Sequence, residues 1–452
     1  MQALTGLARR RARHPAGRRE LLCAALGALA LAACTGEAPR PEAGPAASVP
    51  RAPAAPGQSH YPQRPGSGLG AGTASEGATP SRMPGSQVAL LLPLTGRLGD
   101  AGEALRDGFL TAYYQQEAAA RPRVRVYDAA GDAARAYAQA LAEGAGFVVG
   151  PLGKENVEAV ARVADGRVPT LALNFLPDDA VAPPRFYQFA LAPEDEARQV
   201  AERLLAEGRR TGVALVPTGE WGTRVLTAFG SALLAGGGTL AAARSYPSTT
   251  HDYSDLLVQV LGFDLSQARH REVVAAVGTA LEFTPRRRAD LQFVFVAGQP
   301  TQGRLLRSQL KFHYAGDLPT LSLSDIYDPN PAANQDLDGV VFTDGPWMIS
   351  DDPAVAALRS SVAQLWPQSA RRRGRLFAMG YDCYRLIGAL DPAGGPLVEP
   401  LAGMSGRLAL DAAGRVHRGL DWAVFGSDGQ VRALPPLAGV GATPAAAVVP
   451  PP

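Results

Sequence analysis

From residue 87 onward, apolar and polar positions alternate in two recurring rhythms. Val88-Ala89-Leu90-Leu91-Leu92 is an unbroken apolar run closed by Pro93, the pattern of a strand covered on both faces. Leu105, Phe109, Ala112 and Tyr113 then recur at helical spacing, which predicts a helix over about 99–119. The rhythm continues with a strand at Val124–Tyr127, a helix at Asp132–Glu143, a strand at Phe147–Gly150, a helix at Lys154–Ala164 and a strand at Val168–Leu173. After Pro183-Pro184 it restarts. Helix Pro193–Glu207, strand Val213–Val216, helix Trp221–Leu234, strand Leu291–Ala297, helix Gln302–Tyr314 and strand Leu318–Leu323 follow. A strand at Gly339–Thr343, helices near Pro353–Trp366 and Leu376–Leu390, and short strands at Gly406–Leu410 and Trp422–Phe425 end the pattern.

Strands alternating with helices of this length imply βαβ units and parallel sheets. The restart predicts an α/β fold of two Rossmann-like lobes with parallel sheets flanking a cleft. Lobe 1 is expected over 87–192 and 328–397, lobe 2 over 193–327 and 398–437, with a disordered tail at 438–452. Ligands of such sheets sit beyond the carboxyl ends of the strands, where the loops gather. The polar segment 265–290, with Arg286-Arg287-Arg288 near its end, reads as a solvated helix and loop or as a patch for a partner.

The first 86 residues follow neither rhythm. Six arginines precede an apolar run from Leu21 to Ala33, as in a secretory signal. That run is shorter than the roughly 20 residues needed to span a bilayer. Leu31-Ala32-Ala33-Cys34 looks like a lipobox, so 1–33 is expected to be a lipoprotein signal peptide and Cys34 the lipidated residue that holds the protein to a membrane. Arg18-Arg19 also admits a twin-arginine export reading. Residue 35 is threonine and not the aspartate that retains many Gram-negative lipoproteins in the inner membrane. This favours the outer membrane, facing the periplasm. Residues 34–86, dense in Pro, Ala, Gly and Ser, are expected to form a disordered tether. As extended polyproline, such a tether would reach on the order of 160 Å.

Charge and chemistry narrow the function further. The chain of 452 residues carries 44 basic and 42 acidic residues; without the first 33 there remain 38 and 41, near −3. No nucleic-acid partner is called for. Once the signal is removed and Cys34 acylated, Cys383 is the one free thiol, so the fold must rest on its core. The six histidines show no metal-binding spacing, and no metal or cofactor is implied. Asn334–Gly339 mimics half a calcium loop, but Gly345 stands where the bidentate glutamate belongs. The surroundings of Ser405 are not a nucleophile elbow. The body reads as non-enzymatic.

The loops at the strand ends carry a resemblance. Leu92-Pro93-Leu94-Thr95-Gly96, Val149-Gly150-Pro151-Leu152 and Glu220-Trp221-Gly222 resemble the type I periplasmic-binding fold of branched-chain amino-acid receptors. Gly150–Val157, Pro169–Asn174, Tyr314–Pro319, Asp338-Gly339-Val340, Pro346-Trp347 and Leu376–Asp382 are similar to the penicillin-binding protein activator family, the LpoA-type outer-membrane lipoproteins. That resemblance covers about 87–430, with the motifs in order. It implies a lipoprotein that reaches across the periplasm and activates a class A penicillin-binding protein, a peptidoglycan synthase. Enterobacterial members carry helical repeats before the body, whereas here that space holds the tether. The alternative is a solute-binding lipoprotein of an amino-acid ABC transporter, which shares fold and anchor.

If the cleft takes a small-molecule ligand, the strand ends nominate Thr95, Gly96, Lys154, Asn156, Asn174, Trp221, Asp325 and Tyr327. Lys154 could pair with an anion, or with Glu155 or Glu158 on its own helix. Trp221 is either a ligand platform or a hinge-packing residue. Asn174 either caps its loop or touches ligand.

Overall fold

In a computed structural model, the described residues are 87–366, 373–390, 397 and 399–435. The signal, Cys34, the tether and the tail lie outside them. The described residues belong to one compact unit. Along the first half run β1 (Gln87–Leu92), α1 (Gly99–Gln115), β2 (Arg123–Asp128), α2 (Ala133–Ala142), β3 (Ala145–Val149), α3 (Lys154–Ala161), β4 (Thr170–Ala172) and β5 (Phe186–Phe189). Next come α4 (Pro193–Ala206), β6 (Thr211–Pro217), α5 (Glu220–Ala235), β7 (Thr239–Tyr246), α6 (Ser254–Leu261), α7 (Phe263–Val277), β8 (Phe293–Val296), α8 (Pro300–Phe312) and β9 (Thr320–Ser322). The chain closes with β10 (Val341–Asp344), α9 (Pro346–Ile349), α10 (Pro353–Leu365), α11 (Gly374–Ala389), β11 (Leu401–Ala402), β12 (Arg407–Leu410), β13 (Arg415–Gly419), β14 (Asp421–Phe425) and β15 (Val431–Leu434).

Two sheets result. The first has the order β11-β12-β13-β5-β4-β3-β1-β2, and the second β15-β14-β10-β9-β8-β6-β7. Strands β1 to β5 pair in parallel, as do β6 to β10; antiparallel partners are added at one end of each sheet. Successive side chains of a strand point to opposite faces, so a strand covered on both sides reads as uninterrupted apolar sequence. Strand β1 shows this directly. Val88, Leu90 and Leu92 enter one core with α1 and α11, while Ala89 and Leu91 enter another with α2 and α3. In the second lobe, Phe293 and Phe295 of β8 face α4 and α5, and Val294 and Val296 face α6 and α8.

The sheets correct the expected division of the chain. Strand β10, assigned by sequence to lobe 1, pairs in parallel with β9 and antiparallel with β14, inside the second sheet. Segment 401–419, assigned to lobe 2, returns to the first sheet, where β13 lies beside β5. The chain therefore crosses between lobes at 190–192, between β10 and α11, and at Leu420. Partners outside the local pattern decided these assignments: Val341 of β10 pairs with Leu321 and Val424, and Arg415 of β13 with Gln188.

Helices α1 and α11 touch backbone to backbone. A Cβ on Gly108 would lie 1.9 Å from the Phe377 carbonyl oxygen, and one on Gly380 would lie 2.1 Å from that of Leu105. No side-chain rotation relieves a clash with backbone. Gly380→Val is therefore expected to destabilise at or above the upper end of the roughly 1–3 kcal/mol typical of overpacking. Urea unfolding checks this, and an unchanged midpoint would refute the close contact.

Candidate functional site

The carboxyl ends of β3 and β4 build one wall of a cavity between the lobes. At the end of β3 the chain turns through Gly150, whose φ of +109° and whose 2.0 Å approach to the Leu91 carbonyl by a would-be Cβ leave room for glycine alone. That turn carries Pro151-Leu152-Gly153 to the start of α3. The loop after β4 is fastened alongside: Leu173 N donates to the Pro151 carbonyl at 2.9 Å, and Asn174 Nδ2 to the Leu152 carbonyl at 3.2 Å. Asn174 Oδ1 also accepts from Phe175 N at 3.0 Å. Asn174 thus braces its loop while standing in the cavity wall.

The opposite wall comes from the first turn of α4 and from α5. Pro193 starts α4 with its ring at the position where a missing N–H costs nothing, and Glu194, Asp195 and Glu196 place three carboxyls at the positive end of the helix dipole. Each has a separate task. Glu194 pairs with Arg224 of α5 at 2.8 Å. Asp195 pairs with Arg198 and faces His417 Nδ1 at 3.3 Å. Glu196, buried, pairs with buried Arg418 of β13 at 3.0 Å and accepts from Ser324 N at 3.0 Å. The cavity between these walls has a volume of about 690 Å³, and Arg415 and His417 of β13 complete its rim.

Of the eight residues nominated from sequence, Lys154 and Asn174 line the cavity and the other six do not. Lys154 stands exposed and, among the described residues, pairs with neither Glu155 nor Glu158 within 4 Å. Thr95 Oγ1 donates to Asp128 at 2.8 Å, where the backbone N–H of Leu94, together with Thr95, holds the Asp128 carboxyl below the usual carboxylate range. Gly96, left-handed at φ +70°, forms the turn beside it. Asn156 Nδ2 is spent on the Ala129 carbonyl at 3.0 Å. Trp221 packs on the core of lobe 2. Tyr327 stacks on Phe342 with ring centres 5.5 Å apart. Asp325 sits among the hinge charges, its carboxyl pushed up to about 6 by burial first and by Glu196 next.

Sequence reading missed Arg198, Arg224, Arg415 and His417. The available signal was the run of three carboxylates in the first turn of the predicted helix, Glu194-Asp195-Glu196, which called for cations from elsewhere. His417 sits between two carboxylates, Asp195 and Asp411, the latter 2.9 Å from Nε2. The hydrogen bond to Asp195 leads in raising its pKa, against burial. Burial pushes Asp195 up, but His417, Arg198 and Arg418 outweigh it and hold that carboxyl below its ordinary range.

The three crossings between lobes meet in a buried polar network. Besides Glu196–Arg418, Gln199 Nε2 donates to the Arg418 carbonyl at 2.8 Å and its Oε1 accepts from Leu420 N at 2.9 Å. Asp344, at the end of β10, receives Arg375 of α11 through Nε at 3.0 Å and Nη2 at 2.7 Å, and Arg375 also donates to the Ser324 carbonyl at 2.6 Å. Buried Asp382 accepts from the Met404 and Ser405 amides, both at 2.7 Å, and from Ser405 Oγ at 2.5 Å. Burial still pushes the Asp382 carboxyl up to about 6.

This arrangement can hold charge and orient a ligand, but it offers no activated nucleophile among the described residues. Both ring nitrogens of His417 are taken by carboxylates. Cys383 is buried, and burial raises its thiol well above the ordinary range. No group of three or more His, Cys, Asp or Glu among the described residues is placed to hold a metal, and no described helix is long and apolar enough to cross a membrane.

A sequence profile described as LppC putative lipoprotein matches residues 58–428. The chain belongs to the LppC family. It is 31% identical over 351 residues to the penicillin-binding protein activator LpoA of Vibrio antiquarius, covering 76% of this chain and 57% of that relative. The LpoA of Photobacterium profundum is also 31% identical, over 76% of this chain and 56% of its own length. The chain thus spans little more than half the length of these relatives. The C-domain of LpoA (YraM) from Haemophilus influenzae, described as a regulator of PBP1A, superposes with a TM-score of 0.59 at 24% identity, over 77% of this chain and all of that one. A putative branched-chain amino acid ABC transporter from Chromobacterium violaceum superposes at 0.57 with 26% identity, over 75% of this chain and 99% of that one. The LppC family and the two-lobed binding-protein fold therefore coincide in this chain, as the strand-end motifs implied.

Proposed function

We propose that this protein is a periplasm-facing lipoprotein, held to the outer membrane through lipid on Cys34, that binds and activates a class A penicillin-binding protein. The observation that carries the reading is the 31% identity to LpoA across 76% of the chain. In this reading the contact with the synthase lies on the described body, whose fold matches the whole length of the Haemophilus C-domain. Its role is non-catalytic. The occupied nitrogens of His417 and the buried Cys383 thiol support that, as does the naming of the relatives as activators.

The interlobe cavity, with Lys154 and Asn174 in its wall, supports a second role in binding a small molecule. The likeness to the Chromobacterium protein keeps transport as the competing purpose of that cavity. The test pairs capture with activity. Crosslinked cells are solubilised, the protein is recovered, and its bound proteins are identified; purified protein is then added to the captured synthase during glycan-strand synthesis and peptide crosslinking. The expected result is recovery of a class A synthase whose rate rises on addition. Recovery of a permease and ATPase with an unchanged synthase rate would replace the activator reading with the transport one.

A further inference from the structure

The cavity between the lobes is lined by both apolar and charged side chains, and its cations are unequally committed. Leu152, Leu173, Phe175, Leu376 and Met379 contribute the apolar surface. Arg198 faces buried Asp195, so that pair is closed. Arg415 is paired with Asp178, whose side chain is 95% exposed, and Arg224 with Glu194 and with Glu220, the latter 84% exposed. Pairs with carboxylates standing in water are weak, so an incoming carboxylate can replace such a partner at little cost.

Arg415 does not depend on Asp178 for its place. Its Nη2 donates to the Leu176 carbonyl at 3.1 Å, and its guanidinium lies over the Phe175 ring, 5.2 Å from the centroid. A guanidinium held this way presents a planar fork that matches a carboxylate in two-point contact. Lys154, also in the lining, has no ion-pair partner within 4 Å among the described residues. Two carboxylates of the lining, Glu158 and Glu194, provide acceptors for an ammonium group. The volume of about 690 Å³ lies in the upper half of the roughly 300–1,000 Å³ range of small-molecule sites.

We propose that this cavity binds a short acidic peptide with a free C-terminal carboxylate. Its anionic groups are taken by Lys154 and Arg415, its apolar side chain lies on the apolar lining, and its amino group faces Glu158 and Glu194. Two cations without a buried counter-ion, Lys154 and Arg415, account for two anionic groups, and the apolar lining of Leu152, Leu173, Phe175, Leu376 and Met379 favours an organic ligand over a simple inorganic anion. Because both lobes line the cavity, the bound peptide bridges them and stabilises the folded body in proportion to its concentration over its Kd. The site stands on the cavity alone: a protein that binds the peptide without stimulating a synthase would fail the activator reading and keep this one.

The experiment is calorimetric titration of the purified full-length protein with the tripeptide Ala-Glu-Leu, with its C-terminal amide and with free leucine, together with thermal unfolding in each. The free-acid tripeptide is expected to bind and to raise Tm with concentration, and the amide to bind at least tenfold more weakly. Lys154→Met and Arg415→Met are each expected to weaken the tripeptide at least tenfold, with Lys154→Arg retaining binding. Lys154 is exposed on a first helical turn, so its substitution leaves the fold intact even if the Arg415 variant does not fold. The proposal is overturned by absence of tripeptide binding, by equal binding of acid and amide, or by Lys154→Met binding like the parent. Tighter binding of leucine than of tripeptide would overturn it in favour of a single-amino-acid receptor.

Discussion

Arg418→Leu is expected to lower the unfolding free energy by about 3–5 kcal/mol, the cost of leaving a buried charge without its counter-charge. Glu196 and Arg418 are both buried, and their 3.0 Å pair joins the first turn of α4 in lobe 2 to β13 in lobe 1. Loss of the guanidinium also strips the Ser405 carbonyl of a donor at 3.3 Å. The double variant Glu196→Gln with Arg418→Met removes both charges and keeps an acceptor for Ser324 N. It is expected to recover part of the loss, because neutral groups need no counter-ion. Urea unfolding of the two variants and the parent measures this. A single variant as stable as the parent would show that the pair does not hold the lobes together. Glu196–Arg418, Asp344–Arg375 and the two bonds of Gln199 together fasten the three crossings between the lobes.

Stability is expected to fall as pH rises from about 4.5 to 8, the reverse of ordinary acid denaturation. The Asp325 and Asp382 carboxyls lie at about 6 in the folded protein, against an unfolded value of 3.8. Between those values the folded state holds more protons than the unfolded one, so stability declines with rising pH. For fully buried Asp382 a shift of this size corresponds to roughly 3 kcal/mol. Burial raises Asp344 as well, despite Arg375, and acts in the same direction. His417 adds to the trend. Its raised folded pKa gives stability that is complete below the unfolded value of 6.5 and is lost as pH climbs through the folded value. Asp195 works oppositely, but its depressed pKa confines that effect to pH below about 3.8. Urea unfolding at pH 4.5, 6 and 8 tests the slope, and Asp382→Asn should flatten it. A slope that is level or upward in the parent would contradict the burial of these carboxyls.

Strand β1 was legible because burying both faces demands apolar residues without interruption, and Val88–Leu92 meets that demand. Strands β5, β7 and β13 were not. Phe186–Phe189 is four residues long, too short for a period to show. Thr239–Tyr246 is an alanine-rich edge strand whose composition resembles a helix and whose exposure relaxes the alternation. Arg415–Gly419 carries Arg, His and Arg because it lies by the cavity and hinge, where charge has partners. Candidate ligand residues fared unevenly for a related reason. Thr95 and Asn156 occupy strand ends, as binding residues do, but each spends its polar group within its own lobe.

Sequence by itself determined the α/β alternation, the restart that makes two lobes, the family motifs and the expectation of a lipid anchor at Cys34. These are carried by neighbouring residues, since helical and strand periods are set over a few positions by which face loses water. Tertiary structure alone decided that β10 belongs to the second sheet and β11–β13 to the first, and that Asp195 meets His417, 222 residues away. It also decided that the cavity rim is built from Arg198, Arg224 and Arg415. Charge pairing and strand pairing act through space, and a linear pattern records only that a partner is needed, not where the fold supplies it.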